Sequence, residues 1–238
     1  MSRSRPAFLA VLVPLVAAAW TAAAPARSVT PAVVKGQELA LLNRSEKAYA
    51  KPARGSATLR LVQARRPLTG VRTVLPVIGH STMQGVGWLH VRLPGRPNGH
   101  TGWIRKSATT ALITSWHVIV RTSTRRVVVY RHGRRLRTFK AVVGKPSTPT
   151  PHGEYFVEEA IRLRAADVGA PFALALSARS NVLQEFDGGP GQIGLHGLAN
   201  VGGVLGTAVS HGCVRLNADA MRWLVARIGP GVPVTIVS

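Results

Sequence analysis

Acidic residues are the scarcest class in this chain of 238 residues: nine Asp and Glu stand against 31 Lys and Arg, a formal charge of +22. A surface of that sign attracts polyanions. Cysteine is almost missing as well. Cys213 is the single thiol, which excludes an intrachain disulfide and any Cys-x-x-Cys metal or redox pair. Aromatic residues make up only 5%. With so few, and with no helix-turn-helix, Cys/His finger or interleaved aromatic motif, the positive charge does not read as a nucleic-acid module. Six cations are Lys and 25 are Arg, a bias that accompanies abundant Ala, Gly and Pro and reflects a GC-rich base composition more than a demand for guanidinium chemistry. Apolar residues are plentiful at 46%, which excludes disorder as the dominant state and suffices for one large core or two small ones.

The first residues bear on the compartment. Arg3 and Arg5 precede an apolar stretch, Ala7 to Trp20, that falls short of the roughly 20 residues a membrane span needs. We read residues 1–26 as a signal peptide cleaved after Ala24-Pro25-Ala26, so that the mature protein is exported to the cell envelope and keeps no stable membrane span. The competing reading is an uncleaved anchor extended through Thr21 to Ala26. No cysteine follows the apolar stretch, which excludes a lipid-anchored lipoprotein.

Beyond the leader the composition divides the chain in three. Residues 27–53 are rich in Ala, Pro, Arg and Lys and read as a flexible tether, with a weak helix at Gln37 to Leu42. Residues 54–110 carry short β runs, Thr58 to Val62, Val71 to Ile78, Trp88 to Leu93 and Gly102 to Arg105, separated by Gly, Pro and Asn. This spacing predicts a small β-barrel-like domain, in which Trp88 and Trp103 are core residues or, on a rival reading, a binding platform. Residues 111–238 open as a three-stranded meander turning at His132-Gly133. Further short strands are expected at Glu154 to Glu158, Phe172 to Leu176, Gln192 to His196 and Val232 to Val237. One helix is expected from about Ala218 to Ile228, capped by Asn217 and stopped by Gly229-Pro230. The predicted fold is therefore mainly β, with one main helix after the lone cysteine.

Chemistry concentrates in two segments, Ile193-Gly194-Leu195-His196-Gly197 and Ser210-His211-Gly212-Cys213-Val214-Arg215-Leu216. A lone thiol among glycines and histidines suits a nucleophile in a tight loop, because glycine lets backbone amides approach a ligand closely. A thiol at its ordinary pKa is mostly protonated at neutral pH, so an imidazole must take the proton. Amides around His211, Gly212 and Cys213 would meet a developing oxyanion, and Arg215 would meet a carboxylate. Taken alone, a single buried cysteine is more often an inert core filler, and His196 could be a hydrogen-bonded core histidine. Zinc is not expected, since one Cys with scattered His lacks ligand spacing.

The heptapeptide Ser210 to Leu216, preceded by a strand ending in His196-Gly197, resembles the signature of the bacterial L,D-transpeptidase catalytic domain. Gly144 with Thr150-Pro151-x-Gly153, Pro171 to Ser177 and Gly231 to Ile236 extend the likeness over about Thr114 to Ser238. Trp88 to Ile104 resembles the closing hairpin of bacterial Src-homology-3-like domains. The resemblance implies a cofactor-free enzyme acting on peptidoglycan stem peptides: Cys213 as nucleophile, His196 as base and Gly197 orienting the imidazole through its carbonyl. It further implies His211 and Gly212 at the oxyanion, and Arg215 with Ser210 at the substrate. Expulsion of D-alanine and transfer to an amine would give a cross-link between the third residues of two stems. An L,D-carboxypeptidase and a non-catalytic wall-binding protein are the alternatives. His152 and the pair Arg162 and Arg164 are weaker candidates for the cleft. Expected partners are stem peptides and anionic wall polymers, not nucleic acid, and the protein is expected to be a monomer.

Overall fold

The computed structural model describes residues 33–186 and 188–238. The expected signal peptide, and the start of the expected tether up to residue 32, lie outside them. The described residues, from 33 to 238, form one compact unit containing two hydrophobic cores.

The first core lies under a seven-stranded antiparallel sheet. Its strands are β1 (Gln37–Leu42), β2 (Glu46–Tyr49), β3 (Thr58–Val62), β4 (Val74–Met83), β5 (Val86–Arg92), β6 (Thr101–Arg105) and β7 (Thr109–Thr114), in the order β3-β2-β6-β5-β4-β1-β7. The structure corrects two expectations here. Gln37–Leu42 is a strand, not a helix, and residues 37–49 belong to the sheet, not to a tether. β1 pairs with β4 on one side and β7 on the other, so its amides are satisfied by strands far along the chain, which local periodicity cannot register. Glu46 is fixed as firmly: its carboxylate is 1% exposed and accepts from Arg105 Nε at 2.5 Å. Trp88 is buried edge-on against Tyr49, which removes it from any surface platform, whereas the half-buried Trp103 stacks on His90 at 4.6 Å.

The second core fills an eight-stranded sheet, built from β8 (Trp116–Arg121), β9 (Arg126–Arg131), β10 (Arg134–Lys140), β12 (Gly153–Arg162), β13 (Phe172–Arg179), β14 (Gln192–Gly197), β16 (Val214–Leu216) and β17 (Pro233–Val237). Their order is β10-β9-β8-β17-β12-β13-β14-β16. The short strands β11 (Val143–Gly144) and β15 (Ala208–Ser210) form a separate parallel pair. The meander and its turn are as the alternation predicts, with His132 and Gly133 both at positive φ. Helix α1 (Ala218–Val225) connects β16 to β17, and Asn217 caps it by accepting from the Ala220 amide at 2.8 Å. It buries Ala220, Met221 and Leu224 against the sheet. Its end at Val225 falls a turn earlier than predicted, although Ile228 is buried as expected.

The two sheets are joined by more than chain continuity. Phe156 on β12 is buried in the core of the first sheet, and β7 runs into β8 through the single residue Ser115. Glu158 on β12 is fully buried between Arg179 of β13 and Arg66 of the β3–β4 connection. Removing either arginine would take from a fully buried carboxylate one of its two cations, which is the costly way to break such a cluster.

Candidate active site

The parallel pairing of β14 with β16 sets the site. Leu195 lies opposite Val214 and His196 opposite Arg215, so the strand ending in His196-Gly197 runs beside the strand that Cys213 introduces. Both strands alternate around a buried stripe of Ile193, Leu195, Val214 and Leu216. Cys213, His196, His211 and Arg215 all line one cavity of about 480 Å³. Val168, Leu183, Phe186, Ile193 and Val201 supply its apolar surface, and none of its described lining residues is acidic.

The Cys213 thiol is half-buried and held between groups of the neighbouring strand. Its Sγ lies 3.9 Å from the Gln192 carbonyl, and the Gly194 amide donates to the sulfur. Burial pushes the thiol above its ordinary pKa, while the Gly194 bond and the charge of Arg215 pull the other way more weakly. His196 is held by a bond from Nδ1 to the Gly197 carbonyl at 2.8 Å. A carbonyl only accepts, so Nδ1 carries the proton and Nε2 is the basic nitrogen. Burial lowers the imidazole pKa, the Gly197 bond raises it, and Arg215 lowers it further. Both groups thus rest uncharged at neutral pH.

Sequence reasoning missed what packs on that ring. Gly169 has φ +83, and a Cβ there would stand 2.5 Å from His196 Nδ1; a Cβ on Gly197 would stand 1.9 Å from the Ala170 carbonyl oxygen. The Gly197 amide donates to the Gly169 carbonyl at 2.7 Å. The β12–β13 connection therefore seats the imidazole from behind, a contact across 27 positions that no local pattern announces.

The turn before Cys213 is fixed from two directions. Ser210 is fully buried, and its hydroxyl donates to the Cys213 carbonyl at 2.6 Å while accepting from the Gly212 amide at 3.1 Å. Gly212 takes φ +119, which favours glycine. From the β11–β12 connection, Thr150 donates to the Gly212 carbonyl at 2.8 Å and Thr148 to the Ser210 carbonyl at 3.2 Å. Thr150 Oγ1 also accepts from the Gly144 amide, so both buried threonines are spent on holding the turn. Two expectations change accordingly. Ser210 does not line the cavity and shapes the turn instead of touching substrate, and the Gly212 amide is already engaged and is not spare for an oxyanion.

His211 is exposed on the rim, its ring tilted against Phe186 at 5.5 Å. Arg215 is 8% exposed; its Nη1 donates to the Val201 and Gly202 carbonyls at 3.3 and 3.1 Å, and its buried Nε has no partner among the described residues. A cation so placed, with Nη2 as well as Nε making no bond to the described residues, suits a ligand carboxylate. His152 bonds Thr122 and Arg164 pairs with Asp167; neither they nor Arg162 line the cavity.

Residues 115–236 match the L,D-transpeptidase catalytic domain family, known as YkuD. That stretch is half of the chain and contains every residue just placed around the cavity. The protein belongs to this family. L,D-transpeptidase 1 of Mycobacterium tuberculosis is 31% identical over 121 residues, 46% of this chain and 45% of that protein, so the chain spans about half the length of this relative. Bacillus subtilis YkuD is 26% identical over 147 residues, 60% of this chain and 72% of that one. Among solved structures, an L,D-transpeptidase 3 from Mycobacterium tuberculosis aligns with TM-score 0.43 and 15% identity, covering 68% of this chain and 94% of that one. A Src-homology-3-like assignment for the first sheet finds no support in these comparisons.

Proposed function

We propose that this L,D-transpeptidase family member is an exported cysteine acyltransferase that cross-links peptidoglycan stems without a cofactor. His196 Nε2 takes the thiol proton as Cys213 Sγ attacks the carbonyl of the third stem residue. The C–N bond to the terminal D-alanine breaks, the same proton passes to the departing amine, and a thioester remains. The side-chain amine of a second stem then forms the new C–N bond, the C–S bond breaks, and the amine's proton returns to the thiolate through His196. Arg215 holds a carboxylate of the donor stem. With the Gly212 amide committed to Ser210, the oxyanion falls to the Cys213 amide and His211. The excess of cations suits retention among anionic wall polymers.

One observation carries this reading: the single thiol, at the entry to β16, and an imidazole on the neighbouring β14 whose Nδ1 is committed to the Gly197 carbonyl line one cavity that also holds a buried arginine. Intact-mass spectrometry after incubation with a disaccharide-tetrapeptide tests it. Wild-type protein is expected to gain an adduct lacking D-alanine and to yield dimers joined through third stem residues, with neither for Cys213→Ser. Adduct with only tripeptide product would make the enzyme an L,D-carboxypeptidase. No adduct from folded protein would leave a wall-binding protein.

A further inference from the structure

One part of the cavity wall comes from the β13–β14 loop, residues 180–191. It brings Ser180, Leu183, Phe186 and Gly191 to the cavity and runs directly into Gln192, whose carbonyl faces the Cys213 sulfur. The described residues of the loop bond to one another at its neck and its tip. Ser180 Oγ accepts from the amides of Val182 and Leu183, the Ser180 amide donates to the Gly191 carbonyl at 2.8 Å, and Phe186 and Gly189 exchange a pair of backbone bonds.

The Gly191 amide also donates to the Gly189 carbonyl at 2.8 Å, and further support comes from the other sheet. The turn between β5 and β6 reaches across, and Arg96 donates to three loop carbonyls, Pro190 at 2.7 Å, Ser180 at 2.8 Å and Leu183 at 3.1 Å. Ser180 begins the loop and Pro190 is its next-to-last residue, so one guanidinium fork cinches the neck. Asn98 pairs with Arg179 as a strand would: its Nδ2 donates to the Arg179 carbonyl at 2.7 Å and its Oδ1 accepts from the Arg179 amide at 2.8 Å. The same Nδ2 reaches Asn181 Oδ1 at 2.9 Å, and the Gly95 amide donates to the Ser177 carbonyl at 3.2 Å. Only glycine fits at the neck, where a Cβ on Gly191 would come within 2.1 Å of the Leu183 oxygen. Arg96 and Asn98 do not themselves line the cavity.

We propose that Arg96 and Asn98 are positioning residues of the active site: from the first sheet they fix the β13–β14 loop as the wall against which the donor stem binds. This rests on the cavity being the stem-peptide site. The first sheet is thereby a component of substrate recognition. The dyad is held separately, by the β14–β16 ladder and by Thr148 and Thr150, so loss of the brace acts on binding more than on chemistry.

Three full-length variants test it: Arg96→Ala, Asn98→Ala and Arg96→Lys. They are compared with wild type by hydrogen exchange of residues 181–191, by D-alanine release against tetrapeptide concentration, and by thermal melting. For Arg96→Ala, loop exchange is expected to accelerate and KM to rise, each about tenfold, with kcat within about twofold of wild type and protection of β14 and β16 retained. Asn98→Ala should follow in the same direction. Arg96→Lys should fall between, because an ammonium is a point donor and cannot span three carbonyls. A folded variant with a lower melting temperature but unchanged loop exchange would overturn the proposal and reduce the contacts to an interface glue. If wild type releases no D-alanine, the reading of the cavity fails, while the exchange data still decide whether the brace exists. Should Arg96→Ala fail to fold, Asn98→Ala and Arg96→Lys decide the same question.

Discussion

His196 and Gly169 are in contact across the β12–β13 connection so closely that the glycine has no room for a Cβ, which would sit 2.5 Å from the ring's Nδ1. That nitrogen is the one committed to the Gly197 carbonyl, so any push on it also disturbs the bond that leaves Nε2 basic. Gly169→Ala is therefore expected to fold with a stability loss of about 1–3 kcal/mol, from positive φ and the clash. Thiol acylation should slow at least about tenfold, because a misplaced base loses its geometry. Single-turnover release of D-alanine from a disaccharide-tetrapeptide, with denaturant unfolding followed by circular dichroism, checks both.

Thr150 supports the cysteine turn with one hydroxyl that both donates and accepts. Thr150→Val keeps the shape but leaves the Gly212 carbonyl and the Gly144 amide without their partner, a cost of about 1–3 kcal/mol. Denaturant unfolding should show that loss, and acylation should slow as the turn loosens. Thr150→Ser, which retains the hydroxyl, should recover most of both. Equal stability of the Val and Ser variants would show that the hydroxyl is not what holds the turn.

What the sequence made legible was whatever is local. Asn217 as a cap, the His132-Gly133 turn and the alternating meander follow from neighbouring residues, and all three stand in the structure. Glycine-marked segments pointed to a thiol with an imidazole partner, but it was the family resemblance, not their spacing, that singled out His196 for Cys213. The failures share one cause. β1, the Gly169 seat and the Arg96 brace depend on partners 27 to 94 positions away, which no window of sequence contains. Ser210 was misread for a related reason: beside the nucleophile it has the right chemistry to meet substrate, but the turn consumes its hydroxyl.

Four histidines, His90, His100, His117 and His196, have pKa values lowered first of all by burial. In the folded protein they stay neutral at a pH where the unfolded chain already binds protons. Their stabilising effect is thus complete above the ordinary imidazole pKa of about 6.5 and is lost as pH falls from there through the lowered values. Melting temperature should be flat near pH 7 to 8 and decline on acidification before carboxylates begin to titrate at about pH 4. A melting temperature that rises between about pH 6.5 and 5 would contradict the burial of these rings.

The same burial distinguishes two ways of activating Cys213. Its thiol lies above the ordinary range and His196 below, so the resting pair is neutral and the proton moves only as the sulfur attacks. Alkylation by iodoacetamide, which needs thiolate but no proton acceptor at a carbonyl, should be slow at pH 7 and keep rising past about pH 8.5, the value for an ordinary thiol. A preformed thiolate–imidazolium pair would instead give a plateau below neutrality. Among the described residues, Arg215 is the cation whose charge pulls the thiol down. Arg215→Gln should therefore displace the alkylation profile to still higher pH, whereas a charge-independent role for Arg215 would leave its midpoint in place.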